Sequence, residues 1–359
     1  MNETREKLLE KLHFVFLIDE ITTYFSTIVC ITGIIMNSIL IYLILKKTPL
    51  SMKSYSVFLF NFAIFDLATC IIAFFACQKT MFCKYSLIYI FHGPCKYISP
   101  WFCYFCHVFE CHTLAHSQWI LLASFIYRYF VVVGKNPGVK NNILLSISLY
   151  SMSFVLLITY LLDIEDSKTL WKILTESYEY YHYDDKLIWG DLTISGNLSF
   201  YSPFTFGAIL YMTIPCFPIY ITILYCRHRT LKILSNPSLN ISDNTKFAHR
   251  KLITALTIQA VIPIFWLTGA CFFVLAQYGI ISNPIQETMT FRFMDCLPMS
   301  SPIFSIVFIS PYRQGFVEIL KKAKFPMFMG QVGISTVDTT TVRRLDEATA
   351  FYTPVSERL

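Results

Sequence analysis

The sequence predicts an all-α fold, a bundle of seven transmembrane helices whose N-terminus is extracellular. Of its 359 residues, 55% are hydrophobic and 14% are charged, whereas soluble domains carry about 25% charged residues. Seven apolar stretches recur along the chain, and each is near the roughly 20 residues that a helix needs to cross a bilayer. The lipid bilayer is therefore an expected partner, and the modest net charge of +6 gives no reason to expect nucleic acid.

The predicted bundle covers residues 21–311. In chain order, the segments are an extracellular N-terminal arm at 1–20, spans at about 21–45, 55–77, 97–133, 143–162, 203–226, 252–278 and 288–310, a short cytoplasmic amphipathic helix at 312–325, and a disordered cytoplasmic tail at 326–359. The amphipathic helix is expected because Phe316, Ile319 and Leu320 fall near one helical face, which is typical of a helix at a membrane surface. The tail is expected to be disordered because it is mostly polar.

The orientation follows from lysine and arginine, which favour the cytoplasmic side in short connections. These residues are concentrated in the connections after spans one, three, five and seven, so the N-terminus is predicted to be outside. Two sequons then fall outside, at Asn2 and Asn197, and we expect glycosylation there. A third sequon, at Asn240, falls inside and is expected to be unmodified.

The third span, from Tyr97 to Val133, carries charge inside an apolar stretch, at Glu110 and Arg128. Such charges are costly in a membrane and face a protein interior or a wet cavity. The two residues are five helical turns, or roughly 27 Å, apart and share one face. We therefore expect a ligand-facing end at Glu110 and a signalling end at Arg128.

A ligand pocket is predicted around Glu110. Arg292 and Asp295 lie at a comparable depth in the seventh span, where Arg292 can pair with either acid, and His107 and Leu114 belong to the same part of the third span. The alternative for the charged residues is a structural ion cluster that binds no ligand.

Three histidines of the third span also allow a metal hypothesis. His112 and His116 are four residues apart and can face one way, whereas His107 lies off that face. A membrane metalloenzyme needs several clustered histidine boxes, so the sequence favours a pocket or packing role and predicts neither a metal nor a cofactor.

Polar residues and prolines inside the other spans predict a signalling switch. Asn37 lies in span one, and Asp66 is the charged residue of an apolar span two. Asp66 is either a polar switch or a hydrogen-bonded structural residue. Kinking prolines include Pro302 in span seven. The candidate switch residues are Asn37, Asp66, Tyr127, Arg128 and Pro302.

These polar positions resemble the core of rhodopsin-like G-protein-coupled receptors. Three blocks are similar, more specifically, to nematode serpentine receptors of the class delta chemoreceptor family: Thr48-Pro-Leu-Ser-Met-Lys-Ser-Tyr-Ser-Val, Gly93-Pro-Cys-Lys-Tyr97 and Ser117-Gln-Trp-Ile-Leu-Leu-Ala-Ser-Phe-Ile-Tyr-Arg-Tyr129. The resemblance covers about residues 20–320. It implies a chemosensory receptor for an odorant or pheromone-like small molecule, coupled to a heterotrimeric G protein, in the plasma membrane of sensory neurons, their cilia included.

The sequence departs from the rhodopsin-like pattern at three places. Tyr127 occupies the position of the acid that precedes the arginine in that pattern, and the Asn-Pro-x-x-Tyr motif of span seven becomes Ser301-Pro-Ile-Phe-Ser305. The connection 163–202 contains no cysteine, so the usual disulfide to it cannot form. Cys95 remains the disulfide candidate, with Cys77, Cys83 or Cys103 as its partner.

Two other function classes compete with a receptor. A transporter or channel would also use proline kinks, but transporters are often built from internal repeats, and none is apparent here. A membrane enzyme is disfavoured because the sequence lacks a clustered catalytic set.

Overall fold

The structure, a computed structural model, describes residues 2–135, 137–234, 257, 263–280 and 283–322. Its helices are α1 (Asn2–Lys47), α2 (Lys53–Ala76), α3 (Pro100–Val132), α4 (Val139–Leu161), α5 (Ser167–Ser177), α6 (Lys186–Trp189), α7 (Pro203–Thr213), α8 (Cys216–Leu234), α9 (Pro263–Gln277), α10 (Pro284–Phe308) and α11 (Ser310–Lys322). Its strands are β1 (Gln78–Cys83), β2 (Ser86–Phe91) and β3 (Thr193–Asn197).

The long helices form the predicted seven-helix bundle. By length and hydropathy, α1, α2, α4 and the joined α7 and α8 can each cross a membrane, whereas α10 passes the same test only together with α11, from which it is bent by 97°. The histidines and charges of α3 lower its hydropathy, and α9 belongs to the predicted sixth span, of which the structure describes only residue 257 and residues from 263 onwards. Helix α3 packs against α2, α4 and α8, and α10 packs against α1, α2 and α9.

Several boundaries differ from those expected. Helix α1 is continuous from Asn2, so residue 21 is not a break between an arm and a span, because neither glycine nor proline interrupts residues 2–32. Helix α10 begins at Pro284 rather than 288, since the Asn283 side chain caps it through the Ile285 amide. The fifth span is divided at residues 214–215 and extends to Leu234. The predicted tail, 326–359, lies outside the described residues.

A three-stranded antiparallel sheet, which the sequence reasoning missed, covers one end of the bundle. Strand β1 pairs with β2 across a turn at Lys84 and Tyr85, and β3 pairs with the other edge of β2. Strand β2 is buried along its whole length, between α5 on one face and α3 and α4 on the other. Following the predicted orientation, we call this end of the bundle the outer end.

The disulfide of Cys95 has Cys103 as its partner, with Cα atoms 5.2 Å apart. It connects the segment after β2 to the first turn of α3. Ser99 caps that turn by accepting a hydrogen bond from the Phe102 amide, and Pro100 occupies the first helical position. The start of α3 is therefore fixed to the sheet.

Helix α11 folds back along the inner end of the bundle. Tyr312 is fully buried and its hydroxyl is 2.9 Å from that of Thr48. Gly315 packs against Leu43, and Lys47 forms an exposed ion pair with Glu318 at 2.6 Å. The seventh span is thus coupled to the end of α1.

Close packing between α1, α2 and α10 depends on Gly33. A β-carbon there would lie 2.3 Å from the Cys70 sulfur and 3.4 Å from the Met299 Cα. We expect Gly33→Ala to lower the free energy of unfolding by about 1–3 kcal/mol through overpacking. Thermal unfolding in detergent measures this change.

The matched control is Gly207→Ala in α7, where a β-carbon meets no atom within 4 Å. It should be neutral or stabilise the helix by about 0.5–1 kcal/mol. Equal melting temperatures for the two variants would contradict the packing argument.

Candidate functional site

An ion pair between Arg292 and Asp295 lies at the centre of the outer end. The Arg292 guanidinium is 2.8 Å from the Asp295 carboxylate, and it donates to the Ser26 hydroxyl and to the Gln78 carbonyl, each at 2.6 Å. The Glu110 carboxyl accepts from the Gln78 side chain at 3.3 Å and lies within hydrogen-bonding reach of Asp295. The structure therefore brings together the three charged residues that the sequence assigned to one pocket.

A second ion group borders the first and was missed by the sequence reasoning. The Lys79 ammonium, 1% exposed, lies 3.0 and 3.1 Å from the two Asp19 oxygens and 3.8 Å from Glu287. A signal for it exists in the sequence, because Asp19, Lys79 and Glu287 each lie within two residues of the predicted outer end of a span. We call the combined set the outer polar cluster; it comprises Asp19, Ser26, Gln78, Lys79, Glu110, Glu287, Arg292 and Asp295.

The outer polar cluster is closed and rich in acid. Its charged residues are all buried, and Glu110 is 1% and Arg292 2% exposed. Four carboxyl groups face one ammonium and one guanidinium, so the cluster is negative unless protons or a further cation balance it. An open cleft of about 680 Å³ lies nearby, beside the hairpin turn. Its lining includes Lys84, Tyr85, Glu176 and Tyr201.

His107 lies apart from the acids with which it was grouped. Its ring stacks on Tyr89, with centroids 3.8 Å apart, and its Nε2 is 3.3 Å from the Tyr160 hydroxyl. The ring also lies edge-on to Phe291 of α10, with centroids 5.5 Å apart, so His107 contacts aromatic residues of the sheet, α4 and α10 rather than the acids. Leu114 is buried in the apolar core that also contains Met294.

The other two histidines also have separate partners. His112 Nδ1 is 2.8 Å from the Ser153 carbonyl oxygen, and His116 Nε2 is 3.1 Å from the Asn61 side-chain oxygen. Within the described part of the chain, no group of three metal-ligating side chains converges. Packing and hydrogen bonding account for these residues.

Asn37 compensates for a proline of span seven. Pro302 has no N–H, so it leaves the Pro298 carbonyl without its usual helical donor. The Asn37 side chain donates to that carbonyl at 2.9 Å and to the Gly33 carbonyl at 2.9 Å. Two predicted switch residues are thereby connected across α1 and α10.

Asp66 occupies the middle of the bundle. It is 5% exposed, and its carboxyl group lies beside the hydroxyls of Ser117 in α3 and Ser301 in α10. It therefore contacts α3 and α10, the helices that carry Glu110 and Asp295.

Arg128 lies at the inner end and stacks on an aromatic ring. Its guanidinium carbon is 3.5 Å from the centroid of Tyr55, and the residue is 6% exposed. Among the residues that the structure describes, no acid pairs with it. Tyr127 stacks on the same Tyr55 at 6.0 Å, and Tyr312 also interacts with Arg128. Tyr55 was missed because sequence reasoning saw only the tyrosines that flank Arg128.

The expected glycan on Asn197 does not fit the structure. Asn197 is fully buried, and its amide nitrogen donates to the Tyr104 hydroxyl at 2.7 Å and to the Asp163 carbonyl at 2.9 Å. A sequon in a connection was taken as surface, but here it forms the end of β3. The side chain of Asn2 and the sequon at Asn240 lie outside the described residues.

Comparison with known proteins identifies the family. Residues 22–318 match the family model described as "Serpentine type 7TM GPCR chemoreceptor Srd". The chain belongs to this family. The class delta receptor is 52% identical to serpentine receptor class delta-2 of Caenorhabditis elegans over 343 residues, 95% of each chain. It is 51% identical to class delta-1 of the same species over 318 residues, 89% of this chain and 86% of that one.

The fold is shared with a solved structure of low sequence identity. Squid rhodopsin superposes with a TM-score of 0.59 at 16% identity, covering 94% of both chains. The comparisons confirm the class delta resemblance and the seven-helix fold, and they place the chain in a family of membrane receptors rather than of enzymes.

The contact between Asn37 and the proline-freed carbonyl predicts a coupled pair of variants. Asn37→Ala should lower the free energy of unfolding by about 1–3 kcal/mol, because it leaves a buried carbonyl unpaired. In a Pro302→Ala background the cost should shrink, since residue 302 then donates its own N–H to Pro298. Thermal unfolding of the four-member cycle measures the coupling.

Ser38→Ala is the control, since the Ser38 hydroxyl is exposed and bonds within its own helix. It should change the free energy of unfolding by at most about 0.5 kcal/mol. Additive effects of Asn37→Ala and Pro302→Ala would show that the hydrogen bond is unimportant.

Proposed function

We propose that this class delta receptor binds a small odorant- or pheromone-like molecule at its outer end and activates a heterotrimeric G protein at its inner end. It would act in the plasma membrane of a sensory neuron, in the ciliary membrane. The observation that most strongly supports this is the placement of buried charge at both ends of α3. Glu110 belongs to the outer polar cluster, and Arg128 is stacked on Tyr55 five turns away. Buried charge inside a span is costly and marks functional positions.

Helix α10 would transmit a change at the outer end of the bundle to the inner end. It carries Glu287, Arg292 and Asp295 at the outer end, and Pro298 and Pro302 in its middle. Prolines kink helices and provide hinges. A ligand that rearranges the outer ions would move α10 about these prolines, with Asp66 and Asn37 as its polar contacts.

The inner end of this path is Tyr312. It follows α10 directly, is buried, and interacts with Arg128 and Tyr55. Movement of α10 would withdraw Tyr312 from this group and free Arg128 to meet the G protein. The stacking of the Arg128 guanidinium on Tyr55 would hold the resting state, in the place of the ion pair that Tyr127 makes impossible.

The stacking contact predicts opposite results for two Tyr55 variants. Tyr55→Leu removes the ring and should raise basal signalling about fivefold, which corresponds to a cation–π interaction of about 1 kcal/mol. Tyr55→Phe keeps the ring and should leave basal signalling near that of the unmodified receptor. Basal nucleotide exchange on a G protein, measured in membranes at matched receptor density, distinguishes them. Equal basal rates for the two variants would rule out the stacking interaction as the restraint.

The receptor function predicts that both ends are required for a response. In a chemical-panel screen by calcium imaging, Glu110→Gln and Arg128→Ala should each abolish the response to an active chemical while surface levels are kept. Glu110→Gln acts by removing charge from the outer polar cluster, and Arg128→Ala by removing the group offered to the G protein.

Asp191→Asn is the matched control, because that carboxyl is exposed in its ion pair with Lys186 and distant in sequence from both ends. It should respond normally. A response that survives both Glu110→Gln and Arg128→Ala, or an uptake of the chemical that needs no G protein, would favour a transporter instead.

A further inference from the structure

We infer that Asp19 and Glu287, beneath the tyrosines of the loop before β3, form a recognition site for a small organic ammonium ion, which binds by replacing the Lys79 ammonium. The inference rests on the proposed function and names the chemical class of its ligand. The site borders the Arg292–Asp295 pair but uses different acids.

The first observation is a cation already present in the site. Lys79 reaches from β1 into the bundle, 3.0 Å from Asp19 and 3.8 Å from Glu287. Lysine is almost never fully buried unless it is paired. Here an ammonium on a flexible four-carbon chain is hydrogen-bonded to the Asp19 carboxylate of α1 and faces the Glu287 carboxylate of α10, so a place for an ammonium exists in the structure.

The second observation is an acceptor that this lysine leaves unused. Glu287 is 3% exposed, and its Oε2 accepts no hydrogen bond in the described part of the chain, since 3.8 Å to Lys79 exceeds hydrogen-bond length. The Tyr178 hydroxyl lies beside this carboxyl but donates to the Phe82 carbonyl. Two carboxylates for one ammonium also leave one negative charge unbalanced. A ligand ammonium free of the strand could approach both acids at once, which Lys79 does not.

The third observation is an aromatic wall beside the acids. Tyr178, Tyr181 and Tyr183 pack with ring centroids 5.6 to 6.4 Å apart, and Trp189 adds a ring 4.6 Å from Tyr183. Burial, and next the charges of Glu287 and Asp19, raise the pKa of Tyr181 to about 12. Aromatic faces with carboxylates favour organic cations, and the apolar rings suit a hydrocarbon tail.

Displacement of the Lys79 ammonium would also affect the predicted pocket, through Gln78, its neighbour in β1. The carbonyl of Gln78 accepts from Arg292, and its side chain donates to Glu110. Movement of Lys79 therefore disturbs the contacts of both residues. Asp19, with a side chain 10% exposed, is the most accessible of the three ionic groups and marks the entry side.

The test is chemical rescue of Lys79→Ala. This variant lacks three carbons and an ammonium, which n-propylammonium supplies. Thermal unfolding of the full-length receptor in detergent should shift upward by about 2–4 °C with millimolar n-propylammonium. The matched probes 1-propanol and propionate should produce no shift. The unmodified receptor should shift less than the variant, because its tethered lysine competes at a high effective concentration.

The acids are tested in the same background. Asp19→Asn with Glu287→Gln, added to Lys79→Ala, should abolish the shift, whereas added Asp191→Asn should leave it intact. If Lys79→Ala fails to reach the cell surface, n-propylammonium during expression should raise its surface level and 1-propanol should not.

The inference is overturned if n-propylammonium neither shifts nor rescues the variant, if 1-propanol works equally well, or if the effect survives loss of both acids. Each readout reports binding rather than signalling. A negative result here with a normal Arg128-dependent calcium response would reject the ammonium site and keep the receptor function.

Discussion

The pairing of Arg292 is the interaction on which the outer half of the molecule depends. Burying a guanidinium among seven apolar helices costs free energy unless its donors find partners. The two terminal nitrogens of Arg292 reach Asp295 on its own helix, Ser26 on α1 and the backbone of β1, whereas its Nε has no hydrogen-bond partner among the described residues. These contacts fix the position of the β1–β2 hairpin. The hairpin covers the outer polar cluster and excludes water from its charged groups.

At the inner end, a buried guanidinium is stabilised in a different way. Arg128 is also buried, but an aromatic face replaces the carboxylate. A cation–π contact holds a guanidinium less strongly than a buried ion pair, and Nε and one terminal nitrogen of Arg128 have no hydrogen-bond partner among the described residues, which suits the release that the proposed function requires. The Asn37 contact to the Pro298 carbonyl lies between the two ends and supplies the donor that Pro302 cannot.

Much of this arrangement could be predicted from sequence because membrane burial restricts where charge can lie. The grouping of Glu110 with Arg292 and Asp295 followed from their depths in two spans, and the structure places them together. His107 was grouped with them by proximity along the chain, but it lies about one turn nearer the start of α3, where its ring packs against Tyr89 and Phe291. Asp19 and Lys79 were assigned to an arm and a loop, where charged side chains are ordinarily exposed to water, so their burial was not predicted.

Other features depended on contacts between distant segments. The strands are only five or six residues long, and although β1 and β2 form a local hairpin, the sheet is complete only when β3 from another connection pairs with β2. Tyr55 lies at the start of α2 and Arg128 near the end of α3. No local sequence pattern indicates that they are partners. The choice of Cys103 for Cys95 among three candidates likewise needed the geometry of the turn before α3.

The long sequence separation within the outer polar cluster has a consequence for biosynthesis. Ser26 and Asp295 are 269 residues apart, and Gln78 and Arg292 are 214 apart. The first helix and the hairpin therefore emerge from the ribosome long before the residues that complete their hydrogen bonds. Until the seventh helix has entered the membrane, the nascent chain carries polar groups that lack their final partners, and such incompletely packed intermediates are what chaperones recognise. Completion of the outer polar cluster thus comes late in synthesis, so that a chain terminated before the seventh helix lacks the Arg292–Asp295 ion pair.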